Sequence, residues 1–241
     1  MILTATGLIT RVIGFFYRIY LSRLFGEEGM GIYQLLSPAL SLSFSLTAAG
    51  YQTAISKYVA ADSAKHPSGN LKPLLAGISI TLPLSLVTNA VLFFSADPIG
   101  IFLLKDHRTV PMLRILSFSV PFAALHACIN GYFYGKKKAS VPALTQLLEQ
   151  LARVGCVFLV TGVDLAEGRT PSINAAVLGL TVGEIFSMLI ALVCLYIHLH
   201  PGNSILSLRS ICPSVPVYRD LLGMALPLTA NRIVLNILQS I

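Results

Sequence analysis

Hydrophobic blocks of about 20 residues, repeated along the chain, constrain this sequence more than any other feature. They run from about Met1 to Leu24, Ile32 to Ile55, Leu74 to Ala96, Pro111 to Tyr134, Val141 to Val163 and Ile173 to Leu199. A seventh starts near Arg219 and is still running at Ile241. Blocks of that length match the hydrocarbon thickness of a bilayer. In lipid only helices and closed barrels satisfy every backbone polar group. Barrel strands alternate in polarity, whereas these blocks are uniformly apolar, so they predict helices. Composition agrees: 55% of the 241 residues are hydrophobic and only 11% are charged, against about 25% charged in soluble domains. The fold class is an all-α polytopic membrane bundle of roughly seven helices.

Short polar segments separate the blocks. Gly26–Gly31 reads as a turn, Lys57–Pro73 as a polar loop, Asp97–Val110 as a connector, Gly135–Ser140 as a basic loop and Asp164–Ser172 as a turn. This divides the chain into a lobe of about six helices over 1–199, a linker over 200–218 and the start of a second lobe over 219–241. Apolar sequence at both ends reads as part of a longer protein. A net charge of +7 would suggest nucleic acid in a soluble protein. Here the basic residues cluster in even-numbered loops, at Lys57, Lys65, Lys72, Lys136, Lys137, Lys138, Arg209 and Arg219. Positive charge concentrates on the cytoplasmic side, which puts these loops and the N-terminus there. The first block lacks a compact apolar core with a cleavage site, so it is not read as a cleaved leader.

Ionisable residues within membrane helices are costly, at about 2.5 kcal/mol or more on insertion scales, and each requires a reason. In the first block Thr4, Gly7, Arg11, Gly14, Arg18 and Ser22 recur every three or four residues and form one small, polar stripe. Arg11 and Arg18 are seven residues apart, so they point nearly the same way about 10 Å apart. A guanidinium fork suits bidentate contact with phosphate. These two residues are therefore candidates for a cationic cavity wall, with snorkelling to the interface as the alternative. Arg23, near the end of the block, fits snorkelling better.

Glu149 and Arg153 form an i,i+4 pair that can neutralise itself. Glu184 has no local partner, so it is a candidate to pair with Arg11 or Arg18 across the bundle, or to bind a coupling cation. His126 and Asn130, also i,i+4, suit hydrogen bonds between helices. Asn231, Arg232, Asn236 and Gln239 make the seventh block polar, so it should face the interior, with Asn231 and Arg232 on the cavity. His198 and His200 are a weak metal signal, and no metal is expected. The four cysteines, Cys128, Cys156, Cys194 and Cys212, show no ligand spacing. With no nucleotide-binding loop and no catalytic constellation, the chain does not read as an enzyme, and no cofactor is expected. Energy, if needed, would come from an ion gradient or the membrane potential.

The segment LITRVIGFFYRIYLSRLFGEEGMGIYQL (Leu8–Leu35) resembles the start of oligosaccharidyl-lipid flippases of the multidrug/oligosaccharidyl-lipid/polysaccharide (MOP) exporter superfamily. TAAGYQTAISKYVA (Thr47–Ala60), GYFYGKKKASVPALTQLLEQLARV (Gly131–Val154) and ALPLTANRIVLNILQS (Ala225–Ser240) are similar to the stage V sporulation protein B group of polysaccharide biosynthesis proteins. The resemblance implies two six-helix lobes around a central site, of which this chain holds the N-terminal lobe and the first helix of the second. It implies flipping of a lipid-linked oligosaccharide or peptidoglycan precursor by rocking of the lobes, in spore cortex or cell-wall synthesis. In the related lipid II flippases two first-helix arginines face the cavity. Arg11 and Arg18 match them with one extra residue between, while the charges those flippases carry in the second helix are absent here. The implied partners are a lipid-linked oligosaccharide or lipid II-like substrate, membrane lipids and the missing C-terminal lobe, with no nucleic acid. A drug exporter of the same superfamily and a non-transporting scaffold are the competing readings.

Overall fold

A computed structural model describes residues 2–63, 71–199, 213 and 215–240. The described residues are almost entirely helical and contain no strand. The helices are α1 (Ile2–Leu35), α2 (Ser37–Phe44), α3 (Gly50–Ser63), α4 (Lys72–Phe94), α5 (Thr109–Gly135), α6 (Ser140–Ala166), α7 (Asn174–Leu199) and α8 (Val215–Ser240). A π-helical turn, Ser45–Ala49, joins α2 to α3. A one-turn helix, Ala96–Pro98, and a second π turn, Ile99–Leu103, follow α4.

Helices α4 to α7 are each long and apolar enough to cross a bilayer. The other membrane blocks are more polar or are broken. Three arginines interrupt the apolar run of α1, and the second block is divided among α2, the π turn and α3. Many large apolar side chains point outward, among them Phe94, Phe102, Leu159 and Ile197. In water such a surface would drive aggregation; in a bilayer it is the surface that lipid covers.

Two boundaries differ from the sequence reading. The Gly26–Gly31 turn is a kink, because the chain bends at Gly26 (φ 68°) and helix resumes to Leu35. That left-handed φ is one glycine adopts at little cost. The second span therefore starts at Ser37 and continues to Ser63, instead of covering Ile32–Ile55. Most of the 200–218 linker, with His200 and Cys212, lies outside the described residues.

Helix α5 is the centre of the lobe. It packs on α3, α4 and α7 and buries Met112, Leu113, Leu116, Ile129, Tyr132 and Phe133 almost completely. Water release does not drive helix pairing in lipid, so close packing must do more of the work, and small residues permit it. Two such pairs sit at the closest approaches. On α5, a Cβ at Gly131 would lie 2.6 Å from the Gln52 carbonyl oxygen, and one at Gly135 would lie 2.7 Å from that of Ser56. On α7, Cβ atoms at Gly179 and Gly183 would stand 3.0 and 3.1 Å from the carbonyl oxygens of Arg153 and Glu149 on α6. The second contact matters for the site, because it fixes the α6 backbone at its two charged residues.

Outside the spans, Arg108 bonds Glu28 at 2.7 Å and Asp106 at 3.1 Å, tying the bend in α1 to the loop before α5. The guanidinium holds the Asp106 carboxyl below the usual carboxylate range. Asp106 has its carboxyl lowered on folding. It therefore supports the loop at neutral pH and loses that support as acid protonates it. The exposure of Arg108 to solvent keeps the contribution small.

Candidate functional site

Helix α1 leans on α6 through one face. Leu21 and Tyr17 are buried there with Val157. The Tyr20 hydroxyl shares a 2.8 Å hydrogen bond with Thr161 Oγ1, and its ring packs on Phe158. Holding α1 by this face leaves its next face, with Thr10, Gly14 and Arg18, on a cavity of about 870 Å³. Gln150 and Arg153 of α6 form the facing wall, and Gln34, Ser41 and Asn236 contribute from α1, α2 and α8. The lining carries two guanidinium groups and no carboxylate.

The predicted residues separate around this cavity. Arg18 lines it. Arg11, two turns earlier, is exposed and is not among the lining residues. Asn231 and Arg232 are exposed on α8, and Asn236 reaches the cavity instead. The Asn236 amide donates to the Ser41 carbonyl at 3.2 Å and to Ser45 Oγ at 2.5 Å, tying α8 to the α2 region. The expected pair is present: Arg153 binds Glu149 along α6, with both side chains less than one-fifth exposed. Arg153 also faces the cavity, which charge pairing alone did not reveal.

Glu184 meets neither α1 arginine in an ion pair among the described residues. Its carboxylate is 3.6 Å from His126 Nδ1. One ligand atom each from His126, Glu149 and Glu184 falls within 4.8 Å of the others. His126 is held from both sides: Asn130 Nδ2 stands 2.8 Å from Nε2, and Ser187 Oγ stands 3.1 Å from Nδ1. The Thr145 hydroxyl approaches Asn130 Oδ1 at 3.4 Å. The His126 and Asn130 pair thus joins α5 to α6 and α7, as the spacing predicts, and also bonds internally. An Asn amide donating to Nε2 leaves Nδ1 to carry the proton of a neutral imidazole. With Nε2 bonded to Asn130 and Nδ1 protonated, the imidazole has no free lone pair for a cation, so of the three residues only Glu149 and Glu184 offer ligand atoms in this arrangement. His198 Nδ1 stands 3.0 Å from Lys138 Nζ.

Together, these features define one helical lobe of a polytopic membrane protein, with an arginine-walled cavity opening beside its first helix. Solved structures share the fold. An outward-facing multidrug resistance MATE family transporter of the MOP superfamily superposes with a TM-score of 0.71 at 15% identity, covering 96% of this chain and 52% of the other. A MOP superfamily transporter from Pyrococcus furiosus gives 0.65 at 16% identity, covering 97% and 50%. The chain belongs to the polysaccharide biosynthesis protein family, whose model matches residues 1–241. Stage V sporulation protein B of Bacillus subtilis (strain 168) is 33% identical over 98% of this chain and 46% of its own length. Lipid II flippase MurJ of the same organism is 25% identical over 68% of this chain and 31% of its own length. The chain therefore spans less than half the length of these curated relatives.

Proposed function

We propose that this lobe belongs to a flippase that moves a lipid-linked oligosaccharide or peptidoglycan precursor across the cytoplasmic membrane by alternating access. The observation that carries the reading is the cavity wall. Two guanidinium groups and no carboxylate line a space of about 870 Å³, large enough for a phosphorylated sugar headgroup. Arginine matches phosphate oxygens with two parallel hydrogen bonds. Arg18 is the principal contact in this reading, and Arg11 stands two turns earlier on α1, outside the lining. Stage V sporulation protein B and MurJ, as relatives, favour a cell-envelope precursor, with a role in sporulation or cell-wall synthesis. The same polarity disfavours a cavity for cationic drugs, which carboxylates would suit better. The basic residues of the even-numbered loops favour a cytoplasmic N-terminus in this reading.

The test is depletion of the protein in its natural host. Labelled lipid-linked precursor should then accumulate on the cytoplasmic leaflet, and inverted vesicles should move it inward far more slowly. Unchanged leaflet distribution together with altered drug sensitivity would favour the exporter reading instead.

A further inference from the structure

Two buried donors among the residues lining the cavity have no hydrogen-bond acceptor among the described residues. Tyr17 is only 7% exposed, and its hydroxyl makes no hydrogen bond. Arg153 Nε is likewise buried and unbonded, while its terminal nitrogens reach Glu149 and Gln150. Both residues line the same cavity, Tyr17 from α1 and Arg153 from α6. A buried donor without a partner costs about 1–3 kcal/mol, more when charged, so such groups ordinarily have an acceptor. A phosphate group would suit both donors, because it presents several oxygens and carries the negative charge that a guanidinium favours.

We infer that Tyr17 and Arg153 form a phosphate subsite, distinct from the Arg18 contact, at which Glu149 competes with the ligand for Arg153. This rests on the anionic-substrate reading above; it adds Tyr17 and separates Arg153 from Arg18 as a second point of phosphate contact. The charges around Arg153 set the sign of the Glu149 effect. Glu149 binds Arg153 directly, and Glu184 lies close behind it. This negative charge partly neutralises the guanidinium and opposes an incoming anion. Removing it should strengthen anion binding, which is the opposite of what loss of a structural ion pair would do.

The test is titration of the purified chain in detergent with inorganic pyrophosphate as the probe. Tyr17→Phe keeps the buried ring and removes only the hydroxyl. It should weaken binding roughly tenfold, the size of one hydrogen bond to a charged group. Arg153→Lys, which keeps the charge but loses the fork, should weaken it at least as much. Glu149→Gln should tighten binding by a similar factor. Farnesyl diphosphate competing far better than pyrophosphate would assign the site to a lipid headgroup, and equal competition would assign it to free phosphate. Either result supports the subsite.

An unliganded orphan hydroxyl predicts the reverse for Tyr17→Phe, namely unchanged binding with equal or higher thermal stability. Wild-type affinity in both Tyr17→Phe and Glu149→Gln overturns the inference. If only Arg18→Ala loses binding, the subsite is wrong and the anionic cavity stands. If neither wild type nor any variant binds either diphosphate, both are wrong.

Discussion

Gly131→Val will leave little folded protein in the membrane. The reason is the identity of the atoms in the way. A Cβ at this position would stand 2.6 Å from the Gln52 carbonyl oxygen and 3.2 Å from its carbonyl carbon and Cα. Those are backbone atoms of α3, so no rotamer change relieves the clash. The helices must separate instead, and the contact they would lose is tightly packed: Ile55, Val59, Ile129, Tyr132 and Phe133 are all no more than 2% exposed. Overpacking a tight core costs about 1–3 kcal/mol when side chains can adjust, and a backbone clash belongs at the top of that range or above it. Against a total stability of about 5–15 kcal/mol this is a large fraction. The expected result is a marked fall in the melting midpoint in detergent and in monodisperse yield. Gly7→Val supplies the control, because a Cβ at Gly7 meets nothing within 4 Å. Equal tolerance of the two substitutions would show that α3 and α5 do not pack as described.

The second large effect concerns transport. Arg18→Gln keeps a polar side chain of comparable length and removes the charge from the cavity wall. Loss of a charge-assisted hydrogen bond is worth about 1.5–3 kcal/mol, so precursor flipping should fall roughly tenfold or more at unchanged membrane abundance. Arg11→Gln should have the smaller effect, because Arg11 is outside the cavity lining. The comparison is made in inverted vesicles with labelled lipid-linked precursor. Equal losses in both variants would mean that Arg11 and Arg18 act as one wall, as their seven-residue spacing alone suggests. No loss in either would remove arginine from the mechanism.

Much of the fold was readable because membrane helices are specified by apolar length. The ends of α4, α5, α6 and α7 fall within a few residues of the apolar blocks. Length was a poorer guide where backbone geometry intervened. Gly26 and its glycine-rich surroundings read as a turn, yet helix resumes after one left-handed residue. The π turn at Ser45–Ala49 carries no distinctive composition. At the site, local pairs were legible and distant ones were not. Glu149 and Arg153 are neighbours on a single helix, so spacing alone predicts their contact. Glu184 meeting His126 depends on how α5 and α7 cross, and the sequence offered two α1 arginines as equally plausible partners. The exposed Asn231 and Arg232 show the same limit: a polar helix should face inward, but only the rotation of α8 places Asn236, rather than those two, on the cavity. A missed signal was the spacing of Gly131 with Gly135 and of Gly179 with Gly183. Each pair is four residues apart in an apolar helix, which marks a close helix crossing.

If arginine selects the substrate, this cavity should distinguish a phosphorylated lipid from its uncharged counterpart. Native mass spectrometry of the purified protein, offered equal amounts of a polyprenyl diphosphate and the uncharged polyprenol, tests it most directly. Wild type should strongly prefer the diphosphate, and Arg18→Gln should lose that preference with polyprenol retention unchanged. Equal retention of both lipids by wild type, or an undiminished preference in Arg18→Gln, would contradict it.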